Sequence, residues 1–328
     1  MVPIRQLSHG HKMTRKPVTF LMPVKNGASF LDISLHGLSQ SCSSLDEIVI
    51  VDDKSTDGTS DILMRWASTQ PNARIFTNPG VGLVDALNFG ISIAQHEWIA
   101  RFDVDDVYET NRIDQQMSMV QDSTVAVFSD YLNQSSDGVD LGIIKTAIRP
   151  VYTDFSIISG QRLAHSSVIY LKRAVQEVGM YKSEDYPAED LGLWFRLISI
   201  GTFASYPKPL LKYRLSGNSI TSLKQVEMQV QRDRIIANGL SALHKVAKQL
   251  SANPIKIYYE YKTCDDARER RLLCYRDLMI ARRSRVIPVS KYIIVCLGLF
   301  LEVMHPQSWK ILSRLQRERV RRQNYRFS

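Results

Sequence analysis

Three sets of acidic residues in this chain have types and spacings that suit chemistry. Asp103-Val104-Asp105-Asp106 directly follows the apolar run Trp98–Phe102. On an extended segment, residues two apart point the same way. Asp103 and Asp105 can therefore offer their carboxylates to one cation. Hard oxygen ligands of this kind suit Mg²⁺ or Mn²⁺. Such an ion would hold a diphosphate and neutralise its charge as it leaves. The competing reading is a solvated acidic turn. The second set is Asp52-Asp53, where the run Val49-Ile50-Val51 ends. Two carboxylates at a strand end can accept hydrogen bonds from a base and a ribose. Ser55, Thr56 and Asp57 are ordinary helix starters, so Asp57 is expected to cap the next helix while Asp52 or Asp53 reads a ligand. The third set is Glu189-Asp190, opening the segment Leu191–Ile200. Acidic residues at a helix start are stabilised by its dipole. The functional reading is a general base for a hydroxyl group, which contributes about 10²–10⁴-fold in rate.

These residues need elements to hold them. The first half alternates strand and helix patterns. Val18–Met22 reads as a strand ended by Pro23, Phe30–Leu38 as a helix, Glu47–Val51 as a strand and Thr56–Trp66 as a helix. Arg74–Phe76, Leu83–Ala94 and Trp98–Phe102 continue as strand, helix, strand. Such alternation means a parallel sheet covered on both faces, and sheets of this kind bind ligands at the carboxyl ends of their strands. Both aspartate clusters fall there. Farther on, Val125–Tyr131, His165–Leu171 and Leu210–Arg214 read as strands, Arg173–Val178 and Asp190–Ile200 as helices. Asn133–Gly142 reads as a surface loop. From Leu223 onward the pattern is helical, punctuated by Pro254, Pro288 and Pro306. The expected division is a tail over 1–16, a catalytic domain over 17–222 and a helical basic region over 223–328.

Composition narrows the class. With 328 residues, 44% of them hydrophobic and 23% charged, the chain is long enough to bury a core and is not a mainly disordered one. Cys42, Cys264, Cys274 and Cys296 form no C-x-x-C pair, which argues against a zinc ribbon or a disulfide scaffold and fits a reducing compartment. The net charge of +9 is concentrated at one end, because residues 262–328 hold 16 basic and 6 acidic side chains. Residues 1–16 carry Arg5, Lys12, Arg15 and Lys16 without an apolar run, so a secretory signal is not expected. The longest uncharged apolar run, Tyr292–Leu301, is short of the roughly 20 residues of a spanning helix. It suits an interface instead.

The motifs together resemble the family 2 glycosyltransferases. The string VTFLMPVKNGASFL (Val18–Leu31), then DEIVIVDDKSTDGT (Asp46–Thr59), is similar to the opening of that family. NPGVGLVDALNFGI (Asn78–Ile91) and WIARFDVDD (Trp98–Asp106) continue the match. AEDLGLWFRL (Ala188–Leu197) resembles its acidic-pair helix, and YRLSGNSIT (Tyr213–Thr221) its closing segment. The resemblance implies an α/β glycosyltransferase A-type fold, a Rossmann-like nucleotide-binding mixed sheet flanked by helices, here with a C-terminal helical, basic extension. Carried over by position, Pro23, Asp52 and Asp53 border a uridine-type nucleotide. Asp103 and Asp105 form the D-x-D motif, with Asp105 the direct metal ligand. Asp190 is the base, with Glu189 beside it. His165 stands near the donor phosphates, or else is a satisfied core histidine. Arg101 and Arg214 either meet the diphosphate or form structural ion pairs. Two departures stand out. Leu215, Ser216 and Gly217 occupy the stretch where many relatives have a histidine, and Lys54 stands where glycine is common.

The implied reaction is a metal-dependent, inverting transfer from a nucleotide-sugar, a UDP-sugar by expectation, using Mn²⁺ or Mg²⁺. The acceptor would be a hydroxyl of a glycan or lipid-linked saccharide in bacterial surface polysaccharide synthesis, such as O-antigen or capsule. Arg268, Arg270, Arg271, Arg282, Arg283 and Arg285, with Arg314, Arg317, Arg319, Arg321 and Arg322, flank the apolar run. Near an anionic surface each basic residue contributes about 1 kcal/mol. A cytoplasmic enzyme, peripheral on the inner face of the membrane, is therefore expected. A sugar nucleotidyltransferase shares the α/β design but would carry a Gly-rich, Arg-containing loop where Pro23-Val24-Lys25-Asn26-Gly27 stands. A nucleic-acid-binding protein would explain the basic tail but leaves Asp103, Asp105 and Asp190 without a role, so nucleic acid is not the expected partner.

Overall fold

The computed structural model describes residues 15–146, 163–217 and 219–235. Its first half is built as the alternation requires. Val18–Val24 (β1) leads into Ala28–Ser41 (α1), then Glu47–Asp52 (β2), Thr59–Ala67 (α2), Ala73–Thr77 (β3), Gly82–Ile93 (α3) and Trp98–Arg101 (β4). All seven residues of β1 are buried, because β2 and β4 pair with it in parallel on either side and helices cover its faces. Pro23 does not end this strand. It lies inside β1 opposite Val51, and the strand runs on to Val24. Within α1, Leu31, Leu35 and Leu38 recur at helical spacing and are all buried.

The second half continues with Val107–Tyr108 (β5), Arg112–Met117 (α4), Thr124–Ser135 (β6) and Asp140–Ile144 (β7). It then runs through Ile169–Leu171 (β8), Lys172–Glu177 (α5), Glu189–Leu197 (α6), Thr202–Leu215 (β9) and Ile220–Leu223 (α7). The strands form one sheet in the order β3-β2-β1-β4-β8-β6-β9-β5, with β7 on β6. It is mixed. The strands β3, β2, β1 and β4 are parallel, β8 runs antiparallel to both neighbours, β9 is parallel to β6, and β5 is antiparallel to β9.

Three local expectations are corrected. The Ser/Asp/Gly-rich segment Asn133–Gly142 is the tip of a hairpin, with Leu132 opposite Ile143 and Asn133 opposite Gly142. Its loop chemistry supplies only the turn. The segment His165–Leu171 is not one strand, since His165–Ser167 is a 3₁₀ turn that precedes β8. Asp57 is not the cap of α2. Gly58 holds that position in the left-handed region at φ 88°, with no side-chain cap.

Two close contacts fix the halves of the site. Gly90 on α3 lets the helix rest on β1, since a Cβ there would stand 2.2 Å from Leu21 Cδ1. From the same helix, Asn88 Nδ2 donates to the Tyr181 carbonyl at 2.9 Å and Asn88 Oδ1 accepts the Tyr181 N–H at 3.0 Å. This amide pair ties α3 to the segment that leads into α6.

Backbone contacts divide the chain into residues 1–239 and 240–328. The first unit includes the helical residues 225–235, where Met228 packs against the core and Gln231 donates to the Glu184 carbonyl. The rest of the expected basic helical region, with the run Tyr292–Leu301 and both arginine clusters, lies outside the described residues. Among the described residues no helix is long and apolar enough to cross a membrane.

Candidate active site

The parallel strands β1, β2, β3 and β4 end side by side, so the motifs meet in space. Asp52 closes β2 and braces its own turn. Its Oδ1 accepts from the Ser55 N–H at 3.0 Å and hydroxyl at 2.6 Å, and its Oδ2 accepts from Ser60. Asp53 joins three neighbours. It accepts from Asn78 Nδ2 at 2.7 Å, from the Gly82 N–H at 3.0 Å and from Lys25 Nζ at 3.0 Å. These donors hold its carboxyl below the usual range, although burial pulls the other way. Lys54 lies at φ 57°, in the left-handed region where glycine is favoured, and its Nζ reaches the Gly80 carbonyl at 2.8 Å.

The loops after β1 and β2 lock together. Asn26 and Gly27 donate backbone N–H groups to Ser55 Oγ at 2.8 Å and Thr59 Oγ1 at 2.9 Å. Asp57 accepts from the N–H of Ala28 and of Thr59, both at 3.1 Å. Its role is a brace between the starts of α1 and α2. Gly27 leaves room for Val104, since a Cβ would meet that side chain at 3.0 Å. The loops after β1 and β2 thus rest against the D-x-D segment. Buried Pro23 sits beneath them in β1.

The segment Asp103–Asp106 leaves β4 and is drawn across by β5, whose Val107 pairs with Lys212 of β9. Arg101 is 2% exposed and reaches the motif from below. Its Nη2 donates to Asp103 Oδ1 at 2.7 Å, Nη1 bonds the Phe102 carbonyl, and Nε is buried without a partner. Arg214 sends its backbone N–H to Asp106 Oδ1 at 3.0 Å and its Nε to the Asp105 carbonyl at 3.1 Å. Asp106 is buried and also accepts from Ser166. Burial, with Asp103 beside it, pushes the Asp105 carboxyl up to about 6. Burial and both neighbouring aspartates push Asp106 well above the usual range. Three carboxyl groups gathered this closely suit a cation, even with Arg101 and Arg214 beside them.

The acid pair sits at the start of α6, placed there by the turn from Tyr181 to Ala188. Glu189 is 5% exposed, and its Oε2 is buried with no hydrogen-bond partner. Burial, followed by the charge of Asp190, pushes its carboxyl up to about 8. Asp190 is raised too, by burial, against the pull of the Leu191 N–H that its Oδ1 accepts at 2.7 Å. His165 lies behind this pair. Its Nε2 bonds the Tyr181 hydroxyl at 2.7 Å, and its Nδ1 stands 3.9 Å from Glu189 Oε1. Burial and then Arg101 hold its imidazole well below its ordinary value, so it is neutral.

Sequence reasoning missed the supports of this centre. Arg112 and Gln116, on one face of α4, are both fully buried. Tyr108 Oη receives the Asp103 N–H at 2.7 Å. Arg and Gln four apart in a short helix after an acidic motif were the available signal. Among the described residues no three His, Cys, Asp or Glu side chains converge as a metal site. Leu215 ends β9.

The comparisons agree with this architecture. Residues 19–141 match the family model for Glycosyl transferase family 2. The chain is 27% identical over 214 residues to the amylovoran biosynthesis glycosyltransferase AmsE of Erwinia amylovora, covering 62% of this chain and 79% of that one. It is 29% identical over 184 residues to the UDP-Gal:alpha-D-GlcNAc-diphosphoundecaprenol beta-1,3-galactosyltransferase of Escherichia coli, covering 54% of this chain and 66% of that one. Among solved structures, the mannosyltransferase PcManGT from Pyrobaculum calidifontis, in complex with GDP-Man and Mn²⁺, superposes with a TM-score of 0.54. That match is 15% identical and covers 90% of this chain and 84% of that one, which is a likeness of fold. The Glycosyl transferase family 2 pattern thus lies over residues 19–141, on a fold of the glycosyltransferase A type.

Proposed function

We propose that the protein transfers a sugar, with inversion, from a nucleotide-sugar of the UDP type to a hydroxyl of a lipid-linked saccharide in bacterial surface polysaccharide synthesis. The observation that carries this reading is the placing of two acid groups with different surroundings. Asp103 and Asp105 cluster at the end of β4, and Glu189 and Asp190 open α6, close enough for the Asp103 charge to act on Glu189.

The donor set fits a divalent cation. Asp103 and Asp105 are hard oxygen ligands, half exposed, in a cluster with an excess of negative charge. Asp105 has its carboxylate free of Arg101, which spends its hydrogen bond on Asp103. The two carboxylates would hold Mn²⁺ or Mg²⁺. When bound, the ion supplies charge neutralisation for the leaving diphosphate. Asp52, Asp53 and Pro23 shape the end of the sheet where the base and ribose lie, and Asn78 and Lys25 keep Asp53 ionised. Arg101 orients Asp103 from beneath. Asp190 accepts the proton of the acceptor hydroxyl as that oxygen attacks the anomeric carbon from the face opposite the diphosphate. His165 stays neutral and fixes the Tyr181–Glu189 wall.

The lipid-linked acceptor rests on the Escherichia coli relative, whose name specifies a diphosphoundecaprenol-linked acceptor. Polysaccharide synthesis rests on that relative and on AmsE. An acceptor of that class lies at the membrane surface. The basic, partly apolar sequence of residues 262–328 suits attachment to an anionic leaflet. The test is a single-turnover assay of Asp190→Asn with a lipid-linked GlcNAc acceptor. Donor binding should persist while transfer falls about 10²–10⁴-fold. Full transfer by this variant would remove Asp190 from the role of base.

A further inference from the structure

Arg112 is a fully buried guanidinium that, among the described residues, hydrogen-bonds no carboxylate. A buried charge without a counter-ion costs several kcal/mol unless something compensates it. What surrounds Arg112 is the framework of the acidic motif. Its Nη1 donates to the Arg101 carbonyl at 3.1 Å, at the last residue of β4. Its Nη2 donates to the Val168 carbonyl at 3.1 Å, just before β8. The guanidinium lies 4.7 Å from the Phe102 ring and 4.9 Å from the Tyr108 ring. Tyr108 in turn accepts the Asp103 N–H through its hydroxyl. Gln116 completes the unit. Its Oε1 receives Arg112 Nε at 2.9 Å, and its Nε2 bonds the carbonyls of Val127 at 2.9 Å and Ser167 at 2.7 Å.

Both ends of the segment carrying Asp103 and Asp105 are therefore held by one side chain, at Arg101 before it and at Tyr108 after it. We propose that Arg112, locked by Gln116, is a positioning residue that sets the spacing of the Asp103 and Asp105 carboxylates for a divalent cation and a nucleoside diphosphate. This inference rests on the glycosyltransferase reading of the site. It assigns to α4 a part in donor binding, carried out through the backbone of the motif and without touching the ligand.

The test is calorimetric titration of the full-length chain with UDP and with GDP, in the presence and absence of Mn²⁺. The chains compared are the unaltered protein, Arg112→Lys, Gln116→Met and Tyr108→Phe. Leu63→Ala, in the core under α2 and fully buried, serves as a control for stability loss alone. Supports around metal ligands are worth about 10–100-fold in affinity. The expected result is Mn²⁺-dependent nucleotide binding weakened about 10-fold or more in the α4 variants, with Leu63→Ala binding as the unaltered chain does. Tyr108→Phe removes one hydroxyl and keeps the fold testable should Arg112→Lys not fold. Equal affinity in folded Gln116→Met and Tyr108→Phe overturns the proposal and leaves the glycosyltransferase reading standing. An equal loss in Leu63→Ala also overturns it, by reducing α4 to general stability. No Mn²⁺-dependent binding by the unaltered chain overturns both.

Discussion

At the residue scale, the chemistry depends on how strongly each carboxyl holds its proton. Asp190 is shifted upward by burial, and only its ionised form can take a proton. Transfer should therefore fail on the acid side at a pH above the ordinary aspartate value of about 3.9. A pH–rate profile with its acid limb at or below that value would contradict the assignment. Glu189 makes a separate prediction about stability. Burial and then the charge of Asp190 push its carboxyl from the ordinary 4.5 up to about 8 in the folded chain. Between those values the folded chain binds more protons than the unfolded chain, so rising pH lowers stability. Glu189→Gln cannot ionise, so its stability relative to the unaltered chain should grow from about pH 4.5 to about 8. Denaturant melts across that range measure it, and parallel curves would show that Glu189 is not strained. The acid residues themselves were legible in the sequence, because carboxylates at strand ends and helix starts are few and their spacing is local. Their partners were not. Asn78 reaches Asp53 and Ser166 reaches Asp106 across 25 and 60 positions, distances over which no local pattern operates.

At the element scale, the site depends on close approach between layers. Gly90 on α3 leaves no room for a side chain above Leu21. Gly90→Val should destabilise by about 1–3 kcal/mol through overpacking. A melting temperature equal to that of the unaltered chain would mean the helix can lift from the sheet. Asn88 joins α3 to the Tyr181 backbone by two hydrogen bonds. Asn88→Leu strands both Tyr181 groups, and a buried unpaired group costs about 1–3 kcal/mol. Because Tyr181 holds His165 beside Glu189, transfer should fall in addition to stability. Stability loss with full activity would show that the His165 wall is independent of α3. The parallel half was legible because each strand and helix carries its own period. The hairpin at β6 and β7 was not, because its tip is made of Ser, Asp and Gly, residues that serve a turn and a loop equally. Pro23 within β1 was misread for a related reason. Proline removes one donor, and at the carboxyl end of β1 the ladder tolerates that loss, so the strand continues to Val24.

At the scale of the whole molecule, charge is unevenly divided along the sequence. The sequence before residue 262 is close to neutral, and the stretch after it holds nearly all the basic surplus. Arg101, Arg112 and Arg214 lie around the Asp103–Asp106 segment, where the proposed anionic donor would bind. The basic stretch suits the surface where a lipid-linked acceptor lies. Full-length protein should float with vesicles of anionic lipid, remain unbound with neutral lipid, and be released by high salt, since screening shortens the reach of exposed charges to about 3 Å at 1 M. Flotation indifferent to lipid charge would remove the electrostatic attachment.

On the proposed function, Asp103 and Asp105 bind a metal-held nucleotide-sugar on which Asp190 acts as base. The most direct measurement is nucleotide release from UDP-, GDP- and TDP-sugars by the full-length chain, with a lipid-linked acceptor, in Mn²⁺, Mg²⁺ or chelator. Asp105→Ala and Asp190→Asn are run beside it. The expected result is release from one donor, abolished by chelator and in Asp105→Ala, with Asp190→Asn retaining donor binding but not transfer. Release unaffected by chelator, with Asp105→Ala fully active, would contradict the metal-dependent site.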